Sequence, residues 1–304
     1  MNQKISNFDQ IASLRRYTLT EGRGKGLDVI DCDNGKIRFL LNVSKALDIM
    51  QLYHGGQNVS FLSKNAFEAK DLPFLRRFEG GMLYTCGLDS AGRREGHELH
   101  GSLHNTVAQV IHASCDEKGI EVEAIIRDTE LFGKNLVLRR RIFTEIGSEQ
   151  LTLEDRLTNE GYTDAEYCLL YHINAGYPML DEGANVVADI AEVHTRSEWA
   201  KQRMATMTEI GAAVPGEDET CYYLTLNKPE ISLVNKRLGK AFTVSYSNDT
   251  LPRFLMWKSM ASGDYALGLE PCTTELDKSF TYKPIKSGEE IRFRLGLKIS
   301  GVNE

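Results

Sequence analysis

Ile291-Arg292-Phe293-Arg294-Leu295-Gly296-Leu297-Lys298-Ile299 carries an apolar side chain at every odd position and a basic residue or glycine at every even one. Successive side chains of a strand point to opposite faces, so this stretch has one dry face and one wet face and reads as a half-buried β-strand. Working outward, the runs Ile120-Glu121-Val122-Glu123-Ala124-Ile125-Ile126-Arg127 and Leu151-Thr152-Leu153-Glu154-Asp155-Arg156-Leu157-Thr158 alternate in the same way. Residues 136–144 form another strand between them, and the breaks at Gly133-Lys134-Asn135 and Gly147-Ser148 are short enough for an antiparallel meander. Further strands are expected over 36–41, 107–113, 167–173, 222–226, 231–234, 241–247, 254–257 and 265–270. Helical periodicity is confined to 197–209 and, more weakly, to 43–52. Strands so outnumber helices, with no βαβ rhythm, that the expected fold is all-β: one large antiparallel β-sandwich with few short helices.

The chain of 304 residues is 41% apolar, with 26 glycines and seven prolines, which suits one sizeable core and a single domain over 1–304. No repeat, low-complexity tract or linker divides it, although Val214-Pro215-Gly216-Glu217-Asp218 marks an exposed loop. Lys and Arg number 36 against 43 Asp and Glu, a net charge of −7. That balance offers no basic footprint for nucleic acid. The six cysteines stand singly with no CxxC pair, which argues against a zinc ribbon or redox dithiol and fits reduced thiols in the cytoplasm. The start, Met1-Asn2-Gln3-Lys4-Ile5, lacks an apolar run, and no stretch has the length of a membrane span. A cytoplasmic protein without membrane or nucleic-acid partners is expected; a homodimer is compatible with the sequence, which fixes no oligomeric state.

Three stretches carry ionisable residues that a plain sandwich does not need. The first runs from Gly80-Gly81 through Gly92-Arg93-Arg94 to His97-Glu98-Leu99-His100-Gly101-Ser102-Leu103-His104-Asn105. Glycines with Arg, His and Asn suit a loop whose backbone approaches a polar ligand; a solvated loop is the bland alternative. His97, His100 and His104 raise the question of a metal, but the HExxH spacing of a helical zinc site is absent. The second is Tyr171-His172-Ile173-Asn174-Ala175-Gly176-Tyr177-Pro178, where a strand end projects His172 beside Asn174 before a turn. Alone, His172 reads as a core histidine satisfied by a hydrogen bond. The third is Tyr265-Ala266-Leu267-Gly268-Leu269-Glu270-Pro271-Cys272-Thr273, in which apolar strand residues run straight into Glu270. A buried carboxyl is costly unless paired or used, and burial would raise its pKa toward the range of a general base. Glu270 could equally cap the turn or pair with Arg93 or Arg94. Nearby Trp257 and Lys258 offer a ring to stack on a sugar face and an ammonium for its hydroxyls, or else core.

Taken in order, Gly-Arg, Leu-His-Gly, His-x-Asn and Gly-Leu-Glu-Pro resemble the aldose 1-epimerase (galactose mutarotase-like) superfamily, and most of all an uncharacterised branch of it. The resemblance runs over residues 20–300 and includes Leu47-Asp48-Ile49 and Tyr53-His54-Gly55-Gly56. It implies a mutarotase-like sandwich that interconverts the α and β anomers of a free sugar by acid/base ring opening, with no metal and no cofactor. By the same resemblance Glu270 is the general base, His172 the general acid, His100 a ligand of the sugar oxygens, and Arg93 or Arg94 the site arginine. Asn174, Trp257 and Lys258 join them as candidate sugar contacts. The aspartate with which galactose mutarotases hold hydroxyls has no clear counterpart, which leaves the sugar unnamed. Two other readings stand beside this one: a sandwich that binds carbohydrate without turning it over, and a metal-dependent isomerase or lyase built on the three histidines.

Overall fold

Gly119–Thr129, Asn135–Thr144, Gln150–Asn159 and Glu290–Gly301 lie side by side, each antiparallel to the next, as their alternation predicts. Phe293, Leu295, Leu297 and Ile299 are buried while Arg292, Arg294 and Lys298 are exposed. Gly296 breaks the polar series for a packing reason: a Cβ there would lie 2.5 Å from Ser245 Oγ. This computed structural model describes residues 3–302.

Around that ladder the chain forms a β-sandwich of two antiparallel sheets. A five-stranded sheet holds Ser13–Thr18, Asp28–Asp33, Ile37–Asn42, Asp48–His54 and Gln57–Asn58; the other thirteen strands make one large sheet. One apolar core joins both, with Phe39, Leu41 and Leu52 from the first and Leu138, Leu153, Phe242 and Phe293 from the second. The strand Thr220–Asn235 carries the large sheet from one part to another: its first residues pair with Arg253–Ser259 and its last with Lys240–Tyr246. The sequence splits this strand in two at Pro229, and the ladder to its other neighbour, Asn185–Thr195, is indeed interrupted between Leu226 and Ile231. Pro229 supplies no amide hydrogen there, yet the chain stays extended through the break.

The helical expectations fare less well. Residues 43–52 form a turn followed by the strand Asp48–His54, because Ala46 and Leu47 take positive φ values of 49° and 55° that end any helix. Within 197–209 only Glu198–Gln202 is α-helical, started by the Ser197 side chain, which accepts from the Ala200 amide; a 3₁₀ turn follows at Met204–Thr206. No helix among the described residues is long and apolar enough to cross a membrane.

The core of the ladder also carries charges. Arg140 and Asp155 are cross-strand partners on the inner face and both are buried. The guanidinium meets Asp155 through two nitrogens at 2.9 and 2.8 Å, and also donates to the Ala46 carbonyl at 3.0 Å and to Asp48 at 2.5 Å. Asp48 further accepts from the Thr85 amide and hydroxyl and faces His104 Nδ1 at 2.6 Å, while His104 Nε2 faces Glu79 at 3.0 Å. The Tyr171 hydroxyl donates to Asp155 at 2.8 Å. Every charge in this chain of contacts therefore meets an opposite charge and hydrogen bonds, the condition under which buried ions are tolerated.

Candidate active site

His172 lies on the strand Ala165–Ala175 and Glu270 on Ala266–Cys272, and these strands are antiparallel neighbours. The register that pairs Leu170 with Cys272 and Ile173 with Leu269 sets His172 opposite Glu270. Directly opposed residues share a face and touch, so the contact follows from the ladder itself. His172 Nε2 stands 3.3 Å from Glu270 Oε1. The row continues to Tyr84 on one side of His172 and to Leu255 on the far side of Glu270. In the next row Asn174 opposes Gly268, and Gly268 opposes Trp257. Glycine at 268 leaves room for this carboxyl: an added Cβ would come within 2.2 Å of Glu270 Oε1 and displace it.

Asn174 is buried and fixes the imidazole. Its Nδ2 donates to the carbonyls of Gly81, at 3.1 Å, and His172, at 3.0 Å, which leaves Oδ1 facing His172 Nδ1 at 2.6 Å. Glu270 has no such support. Both of its oxygens are buried and neither has a hydrogen-bond partner among the described residues, for the His172 contact is close but not aligned.

The pair forms the floor of a cleft of about 490 Å³. Phe61, Phe74, Phe78 and Trp257 supply aromatic walls, and the His172 ring stands 5.4 Å from Trp257 and 5.5 Å from Phe78. His100 enters from a loop, where its φ of 67° and the glycine after it turn the chain. Its Nδ1 accepts from the Gly92 amide at 3.3 Å, so in the neutral ring Nε2 carries the hydrogen. Arg196, at the end of the strand Asn185–Thr195, completes the lining. Asp277 grips its guanidinium at 2.5 and 3.1 Å, and its remaining nitrogen lies 4.0 Å from Glu219 Oε1. The other Glu219 oxygen accepts from Trp257 Nε1 at 2.7 Å.

Burial governs the protonation of this floor. It pushes the Glu270 carboxyl well above the usual carboxylate range, with Glu219 adding to the effect and Arg196 opposing it. Burial also takes His172 down to about 3, with His100 adding to the effect and the Asn174 hydrogen bond opposing it. His100 falls to about 4 through burial and then the nearby Arg196. The site thus favours neutral rings and an un-ionised carboxyl, poised to move protons without large changes of net charge.

The structure brings His172, Glu270, His100 and Trp257 to one cleft. It does not bring Arg93 or Arg94 there. Arg93 is exposed, and Arg94 stacks 3.5 Å over Phe280 and donates to the Asp277 carbonyl. Lys258 also points away, because it follows Trp257 on a strand and must face the opposite side. Its ammonium donates to the carbonyls of Thr206, Met207 and Glu209. Asn174 holds His172 and does not line the cleft. The three histidines of the loop part company: His97 is exposed 3.7 Å from Asp89, His104 is buried between Asp48 and Glu79, and only His100 lines the cleft. Among the described residues no group of three or more His, Cys, Asp or Glu is arranged to hold a metal. Arg196, Glu219 and the three Phe walls carry no signal in the sequence, because they come from segments with no motif and the strand that delivers Arg196 lies outside the alternating runs.

A family model described as a domain of unknown function, DUF4432, matches residues 24–289. The chain belongs to this family. No curated protein sequence matches this DUF4432 member. Among solved structures, this DUF4432 chain is similar to a candidate aldose 1-epimerase from Klebsiella pneumoniae, at 20% identity and a TM-score of 0.85 over 96% of this chain and 86% of that one. It is similar to a galactose mutarotase-like protein from Clostridium acetobutylicum at 13% identity, TM-score 0.72, over 96% and 100% of the two chains. A galactose 1-epimerase from Lactobacillus acidophilus matches at 13% identity, TM-score 0.64, again over 96% and 100%. These likenesses establish the mutarotase-like sandwich for this DUF4432 member.

Proposed function

We propose that this protein interconverts the α and β anomers of a free aldose, with His172 and Glu270 exchanging protons with the sugar. The observation that carries the reading is the cross-strand pair 3.3 Å apart, buried on the floor of an aromatic-walled cleft. Ring opening requires proton exchange at two oxygens, the anomeric hydroxyl and the ring oxygen, and both are bonded to the same carbon. Two protein groups side by side therefore reach one oxygen each, and need not flank the ring. The volume lies within the range of ligand clefts, roughly 300–1,000 Å³, and the rings of Trp257 and Phe78 suit the apolar face of a pyranose. His100 Nε2–H and Arg196 are placed to stabilise negative charge on the reacting oxygens.

The test is polarimetry, or NMR exchange, on freshly dissolved single anomers of pentoses, hexoses and deoxy sugars. Acceleration over the buffer rate by catalytic amounts of protein is the expected result. Saturable sugar binding without any acceleration would instead identify a carbohydrate-binding module using the same cleft.

A further inference from the structure

The cations of the cleft are committed before any ligand arrives. Among the described residues two cationic side chains line it, Lys64 and Arg196, and each already holds a carboxylate. Lys64 Nζ donates to Asp264 at 2.7 Å, and Asp277 takes two nitrogens of Arg196 at 2.5 and 3.1 Å. The third Arg196 nitrogen lies 3.9 Å from Cys221 Sγ and 4.0 Å from Glu219, so it offers a directed hydrogen rather than a surplus charge. Burial holds the two lining histidines, His100 and His172, in the neutral form.

Acidic side chains are in excess on the same walls, with Glu217, Asp218, Glu219 and Asp264 all lining the cleft. Glu217 has Arg203 at 3.5 Å, a cation outside the lining that stacks over Trp199. Asp218 is half-buried, and its carboxylate has no hydrogen bond or ion pair among the described residues. The segment is pinned by two indoles: the Asp218 carbonyl accepts from Trp199 Nε1 at 3.0 Å and the Glu219 carboxylate from Trp257 Nε1 at 2.7 Å. These acids border a place kept for a ligand, since the cleft ends on Glu270, whose oxygens are buried and without a partner. A phosphate, sulfate or carboxylate on a sugar gives up hydration on entering such a cleft, and a desolvated anion is tolerated only beside a cation or several donors. Here it would meet carboxylates, and could take Lys64 only by leaving Asp264 bare. An uncharged aldose meets neither cost, and an ammonium would find Asp218 and Glu219 as partners. We infer that the cleft selects aldoses that carry no acidic group, with Asp218 and Glu219 as the residues that set the selection. The inference rests on the epimerase reading only for the cleft being a sugar site; it concerns which sugars enter, not what becomes of them.

Equilibrium binding to the full chain, followed by saturation-transfer NMR at low ionic strength, reads the selection without turnover. The probes are glucose, galactose and mannose, their uronates, and the corresponding uronamides, which match the uronates in size and lack the charge; glucosamine supplies a cation. A uronamide that binds should do so roughly tenfold more tightly than its uronate, glucosamine should bind no more weakly than glucose, and about 0.5 M NaCl should narrow the gap. In the double variant Asp218→Asn/Glu219→Gln, whose amide oxygen at 219 can still accept from Trp257 Nε1, the gap should shrink to about twofold. Asp277→Asn frees the charge of Arg196 and suits the positive φ of 61° at that position, and it should narrow the gap by letting the uronate bind more tightly. A uronate bound by wild type as tightly as its uronamide, a gap unchanged in either variant, or no binding by any uncharged probe overturns the inference. Selective binding without accelerated mutarotation sinks the epimerase reading and leaves the charge selection standing.

Discussion

His104 and His172 are both buried histidines, and they live in opposite chemistry. His104 faces a carboxylate from each ring nitrogen, Asp48 at 2.6 Å and Glu79 at 3.0 Å. Burial lowers its pKa, but Glu79 and Asp48 outweigh that and leave it raised. Its carboxylate Asp48 is in turn depressed: burial acts to raise it, and Arg140 and His104 overcome that. His172 faces an amide oxygen and a carboxyl with no partner, and sinks to about 3. Neighbouring residues of one strand feed the two environments, Tyr171 bonding to Asp155 in the paired network and His172 lying in the cleft. The lesson is that buried charge alone does not mark a site. Where every ion is answered the role is structural, and where the carboxyl is left unanswered the fold has kept a group available for chemistry.

The contrast is open to attack from both sides, and the largest effect should come from the paired network. Arg140→Met leaves Asp155 and Asp48 buried without their cation and should cost about 3–5 kcal/mol of unfolding free energy in denaturant melts. The rate per folded molecule should change little, whereas a loss of mutarotation without a loss of stability would merge the two regions. Next comes Gly268→Ala, whose Cβ would stand 2.2 Å from the Glu270 oxygen. Displacing that carboxyl should lower kcat by roughly 10²-fold, since general acid–base catalysis contributes about 10²–10⁴-fold. Arg196→Gln removes a charge held beside the pair by Asp277 and should cost roughly tenfold in kcat/KM. Arg94→Ala should be smallest, within about twofold of the wild-type rate, because the side chain packs on Phe280 outside the cleft.

Much of this was legible in the sequence, and the rest was hidden for a physical reason. The ladder from 119 to 159 and the strand at the C-terminal end alternate cleanly because one face of each is wet. The strands that build the site, Leu83–Leu88, Ala165–Ala175 and Ala266–Cys272, are buried on both faces almost throughout, so they lose the period-two signal that would say which residues share a side. His172 and Glu270 could therefore be picked out as unusual residues in apolar runs, while their opposition across a ladder could not. Lys258 is the instructive miss: strand alternation alone sets it opposite to Trp257. Arg196 gave no warning, since the pairing of Asn185–Thr195 with Thr220–Asn235 brings it to the cleft and Asp277, far along the sequence, holds it.

The pH dependence of stability separates the regions further. The folded pKa of Glu270 lies above its unfolded value, so its contribution is fully present below about 4.5 and is lost as pH rises toward the folded value. That of Asp48 is depressed, so its contribution is present above the unfolded value and is lost as acid titrates the folded network. Wild-type protein should thus be strained by Glu270 at neutral and alkaline pH and by Asp48 only in acid.

Glu270→Gln tests the central claim most directly, because glutamine keeps the shape of an un-ionised carboxyl while giving up its proton chemistry. Mutarotation rate and melting temperature should be measured on the same sample at two pH values, one near 5 and one near 8 as rough settings either side of the titration of histidine. The account predicts that the rate collapses at both while the melting temperature rises above wild type, more so at the higher pH. A variant that turns over sugar at the wild-type rate, or one that melts lower as a broken structural pair would, contradicts it.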